Sequence, residues 1–468
     1  NNNKNKNIVI HSSASIESAI SMLSCAQLGI PHSVIFEDLS HESIYLRMKL
    51  LKTSLIITRA DQKQFNKDII PAVRKYDDKN LQIISFSDHD IKNPKIMNIS
   101  INYLNNFKNK INKYKFIKSN HTLFTLFTSG STGIPKGIVH SSGGYLLYSK
   151  YTCIEQFGMT DKSTVLTASD AGWINGHTYA LYGPLSVGAT TVLLEKSILL
   201  LNYEFLKKII KDLNISILYL PVTLIRMLKS ISPNISIKRA SLKTLGSMGE
   251  PLAPSVGKWY SEFFNLKKKA IINTYFQTET AGIISSPKYS ENISQSPHGS
   301  VGKPINDILK VVLVKDIVGT KKEIKISNIW PGCMKNILNG RKQWNQYWDK
   351  KGRFNLFDLS EFDKKKCLNI LGRIDDVINI RGHRIGSEEI ESIILKNENV
   401  AEVSAIAIPD NLEGNKILIF LVKKKNKSFK IDDINGLILK YFGSFALPKK
   451  IYILAELPKT RSGKILRR

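Results

Sequence analysis

Short apolar runs alternate with stretches of helical periodicity along the first part of the chain. Asn7-Ile8-Val9-Ile10, Ser33-Val34-Ile35-Phe36 and Leu55-Ile56-Ile57-Thr58 are rich in β-forming residues, while residues 15–28 space their apolar side chains as a helix does. That rhythm is expected of a parallel sheet covered by helices. It returns at Thr190-Thr191-Val192-Leu193-Leu194, a helix predicted over 203–213, and Ile215-Ser216-Ile217-Leu218-Tyr219-Leu220. Over 308–326 the pattern becomes β-rich with turns, predicting a small barrel or antiparallel subdomain. A separate unit begins after Arg373: Asp375-Asp376, a strand at Val377-Ile378-Asn379-Ile380, an acidic helix over 387–396, and an apolar run at 403–408. The reading is an α/β protein with a large N-terminal domain of several subdomains, helix-covered sheets plus a small β-barrel, over 1–374. A small, mobile α+β C-terminal domain follows over 375–468. No internal repeat is apparent, and the polar chain ends and the loop at 290–300 are expected to be mobile.

Composition adds little beyond size: 468 residues with 42% hydrophobic suffice for two or three domains with buried cores. The net charge of +29 raises the question of a polyanionic partner. Lysine is nevertheless spread evenly and travels with asparagine and isoleucine, as in Asn1-Asn2-Asn3-Lys4-Asn5-Lys6-Asn7. A biased base composition accounts for this without a nucleic-acid partner, with steering of anionic ligands as the alternative. Cys25, Cys153, Cys333 and Cys367 lie far apart, without metal-ligand spacing, and read as reduced, buried thiols of a cytoplasmic protein. No run reaches the roughly 18 apolar residues of a membrane span, and no cleavable leader opens the chain. It starts without Met, so an N-terminal portion is expected to be missing.

Chemistry concentrates in four motifs. In Thr128-Ser129-Gly130-Ser131-Thr132-Gly133-Ile134-Pro135-Lys136-Gly137, glycines allow unusual backbone conformations, while hydroxyls and successive N–H groups can wrap a polyphosphate. It is not a Walker A loop, because Gly137 stands where Ser or Thr should follow the lysine; a plain solvated turn is the bland alternative. Gly249-Glu250-Pro251 is followed by Asn273-Thr274-Tyr275-Phe276-Gln277-Thr278-Glu279-Thr280, where the Tyr275 ring can stack on adenine and the Glu279 carboxylate can hold Mg²⁺, a hard cation. Asp358, Arg373 and Arg384 follow: a carboxylate can accept both ribose hydroxyls, and guanidinium groups suit phosphate. Last comes Leu457-Pro458-Lys459-Thr460-Arg461-Ser462-Gly463-Lys464, whose terminal ammonium sits on a glycine-hinged loop suited to developing negative charge.

Taken with Gly143-Gly144-Tyr145, Asp170-Ala171-Gly172-Trp173-Ile174-Asn175-Gly176-His177 and Leu181-Tyr182-Gly183-Pro184-Leu185, these motifs resemble the adenylate-forming superfamily, in its acetyl-CoA synthetase branch, over most of the chain. The resemblance implies nucleotide binding by Thr128, Ser129, Gly130, Ser131, Thr132, Gly133 and Lys136, and by Asn273 through Thr278, with Thr278 on the α-phosphate. It places Gly249, Glu250 and Pro251 on the other wall of the adenine site and assigns Asp358, Arg373 and Arg384 to ribose and phosphate. Catalysis falls to Lys464, Glu279 and Thr128, with Glu279 on the metal. Asp375 matches the hinge about which the C-terminal domain rotates, Arg381, Gly382 and His383 match a loop lining the CoA tunnel, and Arg47 an arginine near the CoA nucleotide, a surface arginine being the alternative. Trp173, Ile174, Asn175, Met248 and Phe276 match the acyl pocket. The family commonly has Trp at position 276, Thr at 175 and Val at 248, so acetate, propionate and 3-hydroxypropionate all fit. Phe357 departs from the pattern, since the family usually has Gly before its Asp.

The implied activity is ATP-dependent ligation of a short-chain carboxylate to CoA through an acyl-adenylate, releasing AMP and pyrophosphate, with Mg²⁺ as cofactor. Two rival readings are an adenylating enzyme that loads a carrier protein and a truncated nucleotide-binding paralogue without catalysis. Relatives are silenced by acetylation of the lysine matching Lys464, which implies an acetyltransferase and deacetylase as partners.

Overall fold

Ile8, Val9 and Ile10 are buried on consecutive positions, as in a strand covered on both faces. In the computed structural model this strand, Asn7–His11, lies inside an eight-stranded sheet ordered Asn336–Leu338, Lys136–Ser141, Thr122–Thr128, His32–Ile35, Asn7–His11, Thr53–Thr58, Gln82–Ser85 and Ile96–Asn98. The structure describes residues 7–86, 96–99, 114–128, 135–195, 202–231, 237, 241–315, 322–374, 377–380, 383–410, 414–459 and 465–466. Helix Ile16–Leu28 covers the sheet; Ser15 caps its start by accepting from the Ser18 N–H, and Gly29 ends it at φ 62°.

The expected parallel pairing holds at the centre of this sheet and fails at one edge. Thr122–Thr128 and Lys136–Ser141 are antiparallel, as are Lys136–Ser141 and Asn336–Leu338. For the first pair the physical reason is the short connection after Thr128, since a parallel return needs a crossover of about a dozen or more residues.

A second, five-stranded sheet runs Ile272–Asn273, Thr244–Met248, Ile217–Pro221, Thr164–Thr167 and Thr190–Val192, all parallel. Helices Tyr203–Asp212, Val222–Ile231 and Pro254–Phe263 pack against it through Leu206, Ile210, Leu224, Ile225, Leu228 and Tyr260. The β-rich stretch becomes a four-stranded antiparallel sheet of Val311–Lys315, Lys322–Ile326, Phe354–Phe362 and Leu368–Arg373. The C-terminal domain has its own core, in which Ile390, Ile394, Ile434 and Ile438 of two helices meet Val403, Ile417, Ile419 and Leu421 of a three-stranded sheet. No helix of the described residues is long and apolar enough to cross a membrane.

The loop at 290–300, expected to be mobile, is tied down instead. Asn273 Nδ2 donates to the Gly299 and Ser300 carbonyls at 3.2 Å each, Ser296 is buried, and Lys269 bridges Asn292. A polar composition hides such anchoring, because the partners come from distant positions.

Between the sheets Phe124 is ringed by three histidines, at centroid distances of 6.1 Å to His32, 5.2 Å to His140 and 4.5 Å to His177. Burial pushes His32 down to about 3, His140 to about 4, and His177 well below its ordinary value. All three are therefore neutral in the folded chain at pH 7. Below about pH 6.5 the unfolded chain binds protons that the native state refuses, so stability should fall by about 1.4 kcal/mol per pH unit for each such histidine. Chemical denaturation should show a constant midpoint above pH 7 and a steep decline towards pH 5; a flat midpoint over that range would contradict the neutral burial of these rings.

Candidate active site

The register of two strands brings the first pair of candidate residues together. Asp358 in Phe354–Phe362 stands directly opposite Arg373 in Leu368–Arg373, with Arg373 Nη1 3.7 Å from Asp358 Oδ1. The carboxylate is nearly buried while the guanidinium is partly open to solvent. Tyr275 Oη donates to Asp358 Oδ2 at 2.5 Å and Gln277 Nε2 donates to the same oxygen at 2.7 Å. The other amide hydrogen of Gln277 and Arg373 Nη1 both reach the Leu356 carbonyl, at 2.7 and 3.3 Å. Three candidates, Tyr275, Gln277 and Arg373, thus converge on the carboxylate of a fourth, Asp358. Burial and the neighbouring Asp358 raise the Tyr275 phenol well above its ordinary pKa, so it stays a neutral donor.

Asn273 and Thr274 hold this arrangement from behind. Asn273 Oδ1 accepts from Ser247 Oγ at 2.9 Å while its amide grips the 299–300 turn. Thr274 Oγ1 donates to the Ser247 carbonyl at 3.0 Å and lies 2.5 Å from Tyr219 Oη. Their side chains serve the scaffold that presents Tyr275.

A second group forms around Glu279. Tyr347 Oη donates to Glu279 Oε1 at 2.6 Å, and Lys136 Nζ lies 5.9 Å from the centre of the Tyr347 ring. Lys136 pairs with Thr128 across the hairpin, so the two ends of the glycine-hydroxyl motif are neighbours. His140, in the strand leaving that motif, donates from Nε2 to the Thr278 carbonyl at 2.7 Å, which ties the turn Thr278–Thr280 to the same sheet. Ser129, Gly130, Ser131, Thr132 and Gly133 lie outside the described residues, as do Asp375, Arg381, Gly382 and Lys464 and the side chains of His383 and Arg384.

The acyl-pocket candidates also meet. Asn175 Nδ2 donates to the sulfur of Met248, the last residue of its strand. Asn175 Oδ1 is buried without a protein partner. Phe276 stands edge-on to Tyr179 at 5.6 Å and packs in the cluster that holds Met248, and Ile174 belongs to another cluster that Phe276 touches. Trp173 packs on Phe36 at 5.1 Å. Arg47 is half-buried: its Nη1 donates to Ser43 O at 2.9 Å and its Cζ lies 5.4 Å from the centre of the Phe127 ring.

Gly249 has φ 89° with open space where a Cβ would be, so its backbone conformation, not crowding, favours glycine there. Glu250 carries an ion pair, Arg226 Nη1 to Oε2 at 2.9 Å. Phe357 adopts φ 56°, in the left-handed region that favours the glycine expected here from the family resemblance. Its ring is retained by an edge-on contact with Tyr347 at 5.2 Å. Replacing Phe357 by Ala should lose that contact and keep the backbone strain; replacing it by Gly loses the contact and relieves the strain. The Gly variant should therefore be about 1 kcal/mol more stable than the Ala variant in denaturant unfolding, the reverse of the usual order.

Tyr347 and Arg226 escape sequence reasoning, since Tyr347 closes a polar helix and Arg226 is one cation in an otherwise apolar helix face, and neither neighbourhood names its partner. Glu279 supplies the hard oxygen that Mg²⁺ prefers when the rest of its shell is phosphate and water, so the residue present fits that ion.

A family model described as AMP-binding enzyme matches residues 2–322, and one described as AMP-binding enzyme C-terminal domain matches residues 389–464. The acetyl-coenzyme A synthetase of Helicobacter pylori is 32% identical over 99% of this chain and 74% of its own length. That of Campylobacter jejuni is 33% identical over 99% and 75%, and acetyl-coenzyme A synthetase 1 of Candida glabrata 34% over 97% and 68%. Among solved structures, the anthranilate CoA ligase AuaEII in complex with anthranoyl-AMP superposes with a TM-score of 0.84 at 19% identity, over 98% of this chain and 86% of that one. The ATP-bound RpMatB-BxBclM chimera B3 superposes with a TM-score of 0.84 at 17% identity, over 98% and 87%. At those identities the likeness is one of fold.

Proposed function

The chain belongs to the AMP-binding enzyme family, and from that premise we propose that this AMP-forming acyl-CoA ligase activates a short-chain carboxylate, with acetate, propionate and 3-hydroxypropionate as its candidate substrates. The observation that carries the reading is the convergence of Tyr275, Gln277 and Arg373 on Asp358, beside a turn that sets Glu279 against Tyr347 and the Lys136 end of the phosphate motif.

The reaction divides at the acyl-adenylate. A carboxylate oxygen attacks the α-phosphorus of ATP, and the bond to the bridging oxygen breaks as pyrophosphate leaves. The thiolate of CoA then attacks the acyl carbon and AMP departs. The protein contributes positioning and charge stabilisation to both steps. Tyr275 forms the adenine wall, and Asp358 takes the ribose hydroxyls. Oδ2 accepts from Tyr275 and Gln277 and Oδ1 faces Arg373, which holds the carboxylate in place for those hydroxyls. Ser129, Gly130, Ser131, Thr132, Gly133 and Lys136 wrap the outer phosphates. Thr128 completes that loop, Thr278 and Arg384 meet phosphate oxygens, and Lys464 steadies the charge that develops between carboxylate and α-phosphate. Bound Mg²⁺, held by Glu279, would neutralise the leaving pyrophosphate.

The division of the chain at 374/375, a hinge at Asp375 and a CoA-facing loop of Arg381, Gly382 and His383 are parts of the same proposal, as are a cytoplasmic setting and silencing by acetylation of Lys464. Substrate size is assigned to Trp173, Ile174, Asn175, Met248 and Phe276, the burial of Ile174, Asn175 and Met248 supporting a narrow pocket. Pyrophosphate release measured over a series of acids tests this. Acids of two to four carbons should support release, with each methylene changing kcat/KM by about 10- to 200-fold. Release confined to aromatic acids would overturn the short-chain assignment, and turnover with a carrier protein but not with CoA would favour the loading reading.

A further inference from the structure

The described residues that flank 460–464 form a structured base. Lys459 and Ile465 form an antiparallel bridge, the Leu466 N–H donates to the Pro458 carbonyl at 2.9 Å, and Leu457 and Ile465 are buried. Lys459 Nζ is paired with Glu402 Oε1 at 2.5 Å on the strand Val400–Asp410, which fixes that side of the base to the C-terminal domain.

The other side is held from the large domain. Glu250 Oε1 accepts the Ile465 backbone N–H at 3.4 Å, while Glu250 Oε2 is clasped by Arg226 Nη1 at 2.9 Å. Arg226 Nη2 also donates to the Pro251 carbonyl at 3.4 Å, so one guanidinium braces both the acid and the backbone beside it. Both side chains are largely withdrawn from solvent, where a charged hydrogen bond is screened less than at the surface.

We propose that Arg226 and Glu250 are positioning residues for Lys464: Glu250 holds the residue immediately after the lysine, and Arg226 holds Glu250. This rests on the assignment of Lys464 to adenylation made above. The 3.4 Å contact is long, so its contribution is register more than affinity. Because it joins the two domains, it exists only when they stand in this arrangement, and a contact made in one arrangement alone biases the equilibrium towards it. Thioester formation, if it proceeds after the C-terminal domain has turned away, makes no use of the contact.

The test is a set of full-length variants read in two half-reactions. Arg226→Met should slow acid-dependent pyrophosphate release in single turnover by about 10- to 100-fold, the range for a small misplacement of a catalytic group. Thioester formation from supplied acyl-adenylate and CoA should stay within about 2-fold of wild type, a split that loss of folding cannot produce. Arg226→Lys, which keeps the charge, should recover most of the lost rate. Should Arg226→Met fail to fold, Arg226→Gln keeps a donor for the Pro251 carbonyl and reads the same split. Equal loss in both half-reactions, or no loss in either, overturns the proposal. A wild-type chain that releases pyrophosphate with no acid would instead count against the ligase reading itself.

Discussion

Replacing Lys464 by alanine is expected to lower acid-dependent pyrophosphate release by about 100- to 1000-fold, the cost of removing one preorganised charge from a displacement in a water-poor site. Thioester formation from supplied acyl-adenylate should remain within a few-fold of wild type. The asymmetry follows from where charge moves. In the first half-reaction negative charge shifts from the carboxylate to a departing pyrophosphate, and a cation near the α-phosphate is worth most at that moment. In the second, the phosphoryl group is already part of a good leaving group and the thiolate approaches the acyl carbon. Assays of the two half-reactions decide the matter, and equal loss in both would contradict the division of labour. Acetylation of the same side chain removes the same charge and should reproduce the pattern.

The second large effect is at Asp358. Asp358→Ala removes the acceptor on which Tyr275 and Gln277 converge, together with the oxygen that faces Arg373. Hydrogen bonds to a charged group contribute about 1.5–3 kcal/mol each, so losing the ribose contacts should reduce kcat/KM for ATP by about 100-fold or more. A stability cost accompanies it, because the Tyr275 hydroxyl loses its partner, at about 1–3 kcal/mol for an orphaned buried group, while the Gln277 amide keeps its bond to the Leu356 carbonyl. Tyr275→Phe separates the two effects, since it removes one donor and leaves the carboxylate in place. That variant should lose far less than Asp358→Ala in kcat/KM, and comparable losses would mean that Asp358 acts only through Tyr275.

Which parts of this architecture can be read from the chain follows from the range of the forces involved. Runs such as Ile8-Val9-Ile10 and Leu55-Ile56-Ile57 lie in strands within a residue or two of their expected bounds, because the strand preference of consecutive branched apolar residues is local to the residues themselves. Helix Ile16–Leu28 is legible for the same reason, with Ser15 and Gly29 marking its ends. The antiparallel edge at Thr122–Thr128 and Lys136–Ser141 is not, since the phosphate motif between them draws attention to its chemistry and away from the hairpin that its shortness imposes.

At the site the motifs point to the residue types but not to the partnerships. Asp358 and Arg373 are separate letters in the sequence and become a pair only through the strand register. Tyr347 belongs to no motif, yet it connects Lys136 to Glu279. Asn273 and Thr274 belong to a motif and turn out to brace it, with their side chains on Ser247, the 299–300 turn and Tyr219. Phe357 is the instructive departure. A glycine is unnecessary for the φ 56° backbone where an edge-on ring contact with Tyr347 offsets its strain.

The most direct test of the account is a single turnover without CoA. Protein in excess over ATP, with Mg²⁺ and a labelled short-chain acid, should yield one pyrophosphate and one labelled acyl-adenylate for each ATP consumed, and adding CoA should convert the adenylate to acyl-CoA and AMP. Pyrophosphate no higher than in an acid-free control, or products consisting of ADP and an acyl phosphate, would contradict it.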